Sequence, residues 1–308
     1  AGITPVGPTS GTNTIAETLS NSTAAPIAVT YAFTTSANGC SQVQNVVVNV
    51  NPQPALSSSL SPTGICSGTS FSYAPTSATA GTTFAWTRAV VGGISQGAGS
   101  GTGAISEVLT NTTTAPVNVT YIYTLTANGC TNPSTFSVVV PVNPTPQLSS
   151  ALSAALCNGS AFSYTATSAT AGASFSWTRA VVGGISNSAG SGLLPTINET
   201  LNNITTSPIS VTYAFVVSAN GCNNAQNVVV SVNPIPVLSS TLSPAAICSG
   251  STFNYTGTSA TPAATLSWSR ATVAGITPIG PTSGFTSISE ALTNTTASPI
   301  VVTYAFVT

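Results

Sequence analysis

Side chains able to do chemistry are few in this chain, and they recur at fixed intervals. Of 308 residues, three are arginine and four are glutamate, and lysine, histidine and aspartate do not occur. The arginines sit in nearly the same words: "TFAWTRAVV" around Arg88, "SFSWTRAVV" around Arg179 and "TLSWSRATV" around Arg270. Each is followed 19 or 20 residues later by a glutamate, Glu107, Glu199 or Glu290, while Glu17 has no arginine before it. General acid–base catalysis draws mostly on histidine, then on carboxylates or lysine. Glycoside hydrolysis usually needs two carboxylates a few ångströms apart, and here each copy supplies one. The abundant serines and threonines lack the basic partner that activates a nucleophile. Identical pairs in every copy read as architecture, so the chain is expected to be no enzyme and to use no cofactor.

Parity along the strands says what the pairs do instead. In "FAWTR" the side chains of Phe84, Trp86 and Arg88 share one face, because successive residues of a strand point to opposite sides. Phe175, Trp177 and Arg179 repeat the pattern, as do Leu266, Trp268 and Arg270. Aromatic and aliphatic neighbours place that face in the core, so the arginine is expected to point inward. The glutamates show the same parity: Ile105, Glu107 and Leu109 share a face, and Ile197, Glu199 and Leu201 do too. A lone charge in an apolar interior is very costly. Ion pairs Arg88–Glu107, Arg179–Glu199 and Arg270–Glu290 are therefore expected, bidentate because a guanidinium fork matches a carboxylate. The alternative is a bulge that breaks the parity and lets both side chains reach solvent.

The six cysteines form two series, Cys66, Cys157 and Cys248, and Cys40, Cys130 and Cys222. No C-x-x-C spacing suggests a metal site, and the usage points to disulfides and an oxidising, extracellular setting. The simplest pairing, Cys66–Cys130 and Cys157–Cys222, would close loops of about 65 residues and contribute about 4 kcal/mol by chain entropy. In a standard sandwich, however, the second strand's start and the last hairpin's tip lie at opposite ends. A link to the adjacent repeat or to another molecule, such as Cys66 to Cys222, is the alternative, and free thiols are a third. Calcium, a common stiffener of tandem β-domains, requires several oxygen ligands, usually carboxylates, and one glutamate per repeat does not supply them. Asn21, Asn111, Asn203 and Asn294 each open an N-x-S/T triplet at the same repeat position. They read either as glycan acceptors on a surface loop or as turn residues.

These residues recur because the whole chain does. The tryptophans, arginines and cysteines step by about 91 residues, the size of a small domain rather than of a solenoid coil. The tetrapeptides "NPQP" (51–54), "NPTP" (143–146) and "NPIP" (233–236) mark boundaries, with paired prolines giving short, stiff spacers. The expected organisation is the C-terminal part of a repeat over 1–53, complete repeats over 54–145 and 146–235, and the N-terminal part of another over 236–308. "AGITPVGPTSG" (1–11) matches "AGITPIGPTSG" (274–284) at an offset of three periods. A window from a longer tandem array, neutral in each full repeat, is therefore expected.

Within a repeat, runs rich in β-branched and aromatic residues alternate with period two between turn residues. Over 54–145 they are 70–75, 82–90, 104–110, 117–127 and 135–142. "ANG" (127–129) predicts a tight hairpin turn, and Pro141 predicts an edge position for the last strand. No segment has a helical period. The predicted fold is all-β, an array of immunoglobulin-like sandwiches of about seven short strands each. The motifs "GICSG" (64–68), "FAWTR" (84–88), "TANGC" (126–130) and "VVVPVNPTP" (138–146), in that order, resemble PKD-like and immunoglobulin-like repeats of large secreted proteins of Bacteroidota. The resemblance spans the whole chain and implies a surface adhesin or fibre component with no catalytic motif.

With 2% charged residues and no stretch of about 18 apolar ones, neither nucleic-acid binding nor membrane insertion is expected. Near-zero net charge favours self-association. The expected function is an extracellular structural or adhesive protein, forming or decorating a cell-surface fibre, with copies of itself as partner and surface glycans or a host surface as possible ligands. The rival reading is a carbohydrate-binding or spacer module of a larger secreted enzyme. It requires exposed aromatics, whereas the single tryptophan per repeat faces the core.

Overall fold

The computed structural model describes residues 2–5 and 9–308. All regular structure among them is β. The N-terminal portion has β1 (Ile3–Thr4), β2 (Ser20–Asn21), β3 (Ile27–Ala37) and β4 (Cys40–Val50). The first complete repeat has β5 (Ile65–Cys66), β6 (Thr69–Tyr73), β7 (Thr83–Arg88), β8 (Gly99–Thr102), β9 (Ile105–Leu109), β10 (Val117–Ala127), β11 (Cys130–Thr131) and β12 (Phe136–Asn143). The second has β13 (Ser153–Cys157), β14 (Ala161–Thr165), β15 (Ser174–Arg179), β16 (Gly190–Gly192), β17 (Thr196–Thr200), β18 (Ile209–Ala219) and β19 (Cys222–Asn233). The C-terminal portion has β20 (Thr252–Thr256), β21 (Ser267–Arg270), β22 (Ile276–Thr277), β23 (Thr282–Phe285), β24 (Ser287–Ala291), β25 (Thr293–Asn294) and β26 (Tyr304–Val307).

The chain divides into two compact units. The first comprises 1–146 with 169–173 and 218–224, the second 147–168, 174–217 and 225–308. In the first, the complete repeat is a sandwich of unequal sheets. One runs in the order β5-β12-β10-β7-β8, with β11 beside β10, and the other is the pair β6-β9. The second unit repeats this with β13-β19-β18-β15-β16 and β14-β17. Alternation drives the layering: Val119, Tyr121, Tyr123 and Leu125 of β10 and Val138, Val140 and Val142 of β12 are fully buried. They form one cluster with Phe71 and Tyr73 of β6 and Ile105 and Leu109 of β9. The β10–β12 hairpin turns at Asn128 and Gly129 with φ of 50° and 77°, the positive values that a tight Asn-Gly turn needs.

Pro141 departs from expectation. β12 is not the sheet edge, because β5 runs parallel beside it at Val142 and Asn143. Val139 N donates outward to Leu60 O at 2.9 Å and Asn143 O accepts outward from Ser67 N at 2.8 Å. Pro141 shares that outward alternation, so its missing N–H faces the gap between Leu60 and Ile65 and removes no bond to β10. The short, interrupted neighbour is what tolerates the proline.

Candidate functional site

In β7, Arg88 stands opposite Tyr121 of β10; in β9, Glu107 stands opposite Phe71 of β6. Arginine and glutamate therefore belong to different sheets, and their contact crosses the sandwich. Arg88 Nε donates to Glu107 Oε2 at 2.9 Å and Nη2 donates to Oε1 at 3.3 Å. Arg179 and Glu199 repeat this at 2.9 and 2.6 Å. The arginine side chains are 2% and 1% exposed, the glutamates 23% and 22%. Each guanidinium is thus fully inside, while its carboxylate lies at the mouth of the sandwich rather than in the core. Further guanidinium N–H groups reach backbone: Arg88 Nη1 donates to Ala89 O, and Arg179 Nη1 and Nη2 to Ala180 O and Ser188 O. Nη1 of both arginines is satisfied in this way without a second charge.

Each clamp has a third member, a tyrosine. Tyr121 Oη donates to Glu107 Oε2, and Tyr213 and Tyr304 do the same to Glu199 and Glu290, all at 2.5 Å. Arginine and tyrosine reach from one sheet and grip one carboxylate of the other. The signal was in the sequence, since each glutamate is followed 14 residues later by an inward tyrosine, Tyr31 after Glu17 included. Glu17 accepts from Tyr31 Oη at 2.6 Å. Burial pushes the Glu107 carboxyl up, but hydrogen bonds from Arg88 and Tyr121 and the arginine's charge together bring it below its ordinary value. Glu199 is lowered by the same balance. Burial first, and then the bonded carboxylate, push the Tyr121 and Tyr213 hydroxyls well above the ordinary tyrosine value.

The third copy differs in one bond. Arg270 Nε donates to Glu290 Oε2 at 3.0 Å, while Nη2 turns to Pro278 O at 3.4 Å. The residue opposite Arg270 is Thr282, where Arg88 and Arg179 face Gly99 and Gly190. A Cβ at Gly99 would come within 2.9 Å of Glu107 Oε1 and 3.2 Å of Arg88 Nη2. The side chain at 282 thus occupies the place where the second prong of the fork closes. Glycine is needed one step on as well. Gly101, Gly192 and Gly284 lie against Trp86, Trp177 and Trp268, and a Cβ on any of them would meet the indole within 3 Å. The three tryptophans are buried, each edge-on to the tyrosine of its clamp.

Cys66 is bonded to Cys222. The simplest expectation, Cys66–Cys130 with Cys157–Cys222, is thereby corrected. Cys66 ends β5 at one end of its sandwich and Cys130 follows the hairpin tip at the other, so neither reaches the other within a repeat. The tip of the next repeat's hairpin, 218–224, packs instead within the first unit, where Asn143 Nδ2 donates to Asn220 O at 3.0 Å. Asn51 Nδ2 makes the same bond to Asn128 O, also at 3.0 Å. Cys40, Cys130, Cys157 and Cys248 are unbonded. The N-x-S/T asparagines are turn residues. Asn111 Nδ2, the atom a glycan would need, is buried and donates to Ala115 O and Val142 O at 2.8 and 2.7 Å, and its Oδ1 accepts from Thr113. Asn203 does likewise with Ser207 and Val232. Asn21 and Asn294 make the equivalent turn bonds through Nδ2, to Ala25 and Ser298.

A sequence profile described as PKD-like domain matches residues 63–146 and 154–236, more than half of the chain. The chain belongs to the PKD-like domain family. Solved structures similar to these PKD-like repeats include a titin I-band fragment, I67–I69, at 13% identity and a TM-score of 0.36, covering 80% of this chain and 90% of that one. Sidekick-1 immunoglobulin domains 1–5 align at 12% identity and 0.31, covering 82% and 56%. An endo-fucoidan hydrolase of glycoside hydrolase family 107 aligns at 14% and 0.25, covering 76% and 39%. At such scores these likenesses carry no argument. No curated protein matches the chain. No helix of the described residues is long and apolar enough to cross a membrane, and no group of three or more His, Cys, Asp or Glu is gathered among them.

Proposed function

We propose that these PKD-like repeats are a segment of an extracellular structural protein, a tandem array that forms or decorates a cell-surface fibre, of the kind found in secreted Bacteroidota proteins. The Cys66–Cys222 bond supports this reading most. It ties the first strand of one repeat to the hairpin tip of the next, so tension along the array passes through a covalent bond and not only through the Asn-Pro linker. An oxidising compartment is where such a bond persists. Burying all three arginines leaves an exterior with no positive side chain, which suits close lateral packing. Catalysis has no constellation to rest on, since each carboxylate is committed to an arginine or a tyrosine. The sugar-binding alternative loses its platform, because the tryptophans are 7–9% exposed and faced by glycine backbone.

Immuno-electron microscopy of producing cells, with antibody raised against the chain, tests this. Labelled threads outside the cell are the expected result. Label confined to the cell interior, or glycan binding abolished by Trp177→Ala in a folded chain, would contradict it.

A further inference from the structure

The two edges of the larger sheet in the first complete repeat are guarded unequally. At one edge, β5 is two residues long and follows Pro62, and Leu60 and Ser67 on either side of it are bonded to β12 and its end. The other edge is β8, which pairs with β7 and has no second neighbour among the described residues. Gly103 N donates to Phe84 O at 2.8 Å. Glycines 99, 101 and 103 therefore face β7, and the N–H and C=O groups of Ser100 and Thr102 point away from it. Both residues are exposed. The strand reads "GSGT" and has neither the lysine nor the proline that commonly protects an open edge.

We propose that β8 pairs antiparallel with β8 of a second copy of this chain, joining the two larger sheets edge to edge about a two-fold axis at Gly101. This rests on the reading of the chain as a self-associating array and supplies its lateral contact. The strand sets its own register. A two-fold axis through Gly101 places Ser100 against Thr102 of the second copy, and Thr102 against its Ser100. Each such pair exchanges N–H···O bonds in both directions, about four in all, so every outward group of the strand is satisfied. The Ser100 and Thr102 side chains share the outer face, where hydroxyls bond across strands. Charge favours a like copy as well. The carboxylate beside this edge is Glu107, whose Oε1 lies 2.9 Å from where a Cβ on Gly99 would stand, and it is matched by Arg88. Two such edges meet without net charge on either, whereas a charged partner would find nothing here to pair with.

The second complete repeat carries the same edge. In β16, Gly190 and Gly192 stand opposite Arg179 and Trp177, as Gly99 and Gly101 stand opposite Arg88 and Trp86. Ser191 between them is exposed, and Leu193, which shares its parity, is 84% exposed. In an edge pair about Gly192, Leu193 gains its own counterpart as a diagonal neighbour at about 7–8 Å, within reach of a long side chain. The glycines that the clamp and the indole require are thus what leave this edge thin and unprotected. A pairing this small is weak alone, and repeats linked in one chain multiply it.

The test measures amide exchange by NMR on the purified 308-residue chain, its free thiols alkylated, in a concentrated and a dilute sample, with sedimentation of both. Association is expected in the concentrated sample, where the Ser100 and Thr102 amides should exchange at least about tenfold more slowly, while Gly101, already bonded to β7, is unchanged. Ser100→Pro with Ser191→Pro removes only N–H groups that face away from the fold, a place where an edge strand tolerates proline. Ser100→Lys with Ser191→Lys leaves the backbone free and sets like charges edge to edge. Both double variants should weaken association at least about tenfold, and retention of Cys66–Cys222 with unchanged tryptophan fluorescence reports that they fold. A chain that stays monomeric in the concentrated sample, association that leaves the Ser100 and Thr102 amides exchanging freely, or undiminished association of the lysine variant would each overturn the proposal. Threads seen outside cells alongside any of these would leave the array reading standing and remove only the edge pairing.

Discussion

The last strand of a repeat occurs twice in the first unit, once in place and once without its partners. In β12 the sequence "VVVPV" puts three valines in the core with no exposure; in β4 the corresponding "VVVNV" leaves Val46 and Val48 nearly half exposed. Alternation, register and turn are the same in both. What differs is the two-stranded sheet β6-β9, which faces the first strand and has no counterpart facing the second among the described residues. A hairpin carries its own hydrogen bonds, but its apolar face acquires value only against a second layer. The clamp shows the same contrast: Glu107 has an arginine and a tyrosine, and Glu17 has Tyr31 and Thr9 but no arginine among the described residues.

Substitutions on the two strands should diverge most. Val140→Asp places a carboxylate in the core with no partner and is expected to cost about 4 kcal/mol or more, whereas Val48→Asp stays within about 0.5 kcal/mol, as surface changes do. Hydrogen exchange resolved by peptide would show protection lost over 54–145 in the first variant and unchanged in the second. Equal effects would mean that β4 is buried after all.

Next in size is the clamp. Arg179→Met strands Glu199 and is expected to cost about 3–5 kcal/mol, and Arg179→Met with Glu199→Leu less than the sum of the single changes. Glu17→Gln, with no arginine to strand, should change stability by under about 0.5 kcal/mol. Chemical denaturation followed by tryptophan fluorescence would report the first two. Additive single changes would show that the two charges do not interact.

Glycine sharpens the comparison within one strand. Gly101→Ala drives a methyl into the Trp86 ring and should cost about 1–3 kcal/mol; Gly97→Ala, with open space around it, should be near neutral. Thermal unfolding of the two variants separates them.

The smallest effect is that of pH. The lowered Glu107 and Glu199 contribute stability that is present above the ordinary carboxylate value of 4.5 and is lost as pH falls through their lower folded values. The raised Tyr121 and Tyr213 contribute stability that is full below 10 and declines as pH rises beyond it. A stability plateau between those limits is expected, and Glu107→Gln should weaken the acid-side decline. An unchanged acid limb would remove Glu107 from the account.

The fold and half of the clamp were legible because both depend on parity. A period of two fixes which side chains enter the core, and a chain with so few charges leaves each inward arginine one candidate partner. Tyr121 was legible too, through its constant distance from the glutamate, but an inward tyrosine passes for core until a buried acceptor is placed beside it. The glycines facing the tryptophans were not, because facing positions depend on which strands are neighbours. The cysteine pairing was hidden for a related reason: Cys66 and Cys222 meet only once a hairpin tip from one repeat is set against the first strand of another. Asn111 belongs to a triplet that serves both glycan acceptors and turns, and only the burial of its amide decides.

The central claim, that the arginines fasten two sheets from inside, has a direct test in the arginine side-chain region of a 15N-correlated NMR spectrum. With three arginines and no lysine, the spectrum is simple, and Nε is the atom bound to glutamate in all three pairs. The account predicts three Nε–H signals at neutral pH, all protected from exchange with water. Signals broadened away by solvent exchange would place the guanidinium groups outside and contradict it.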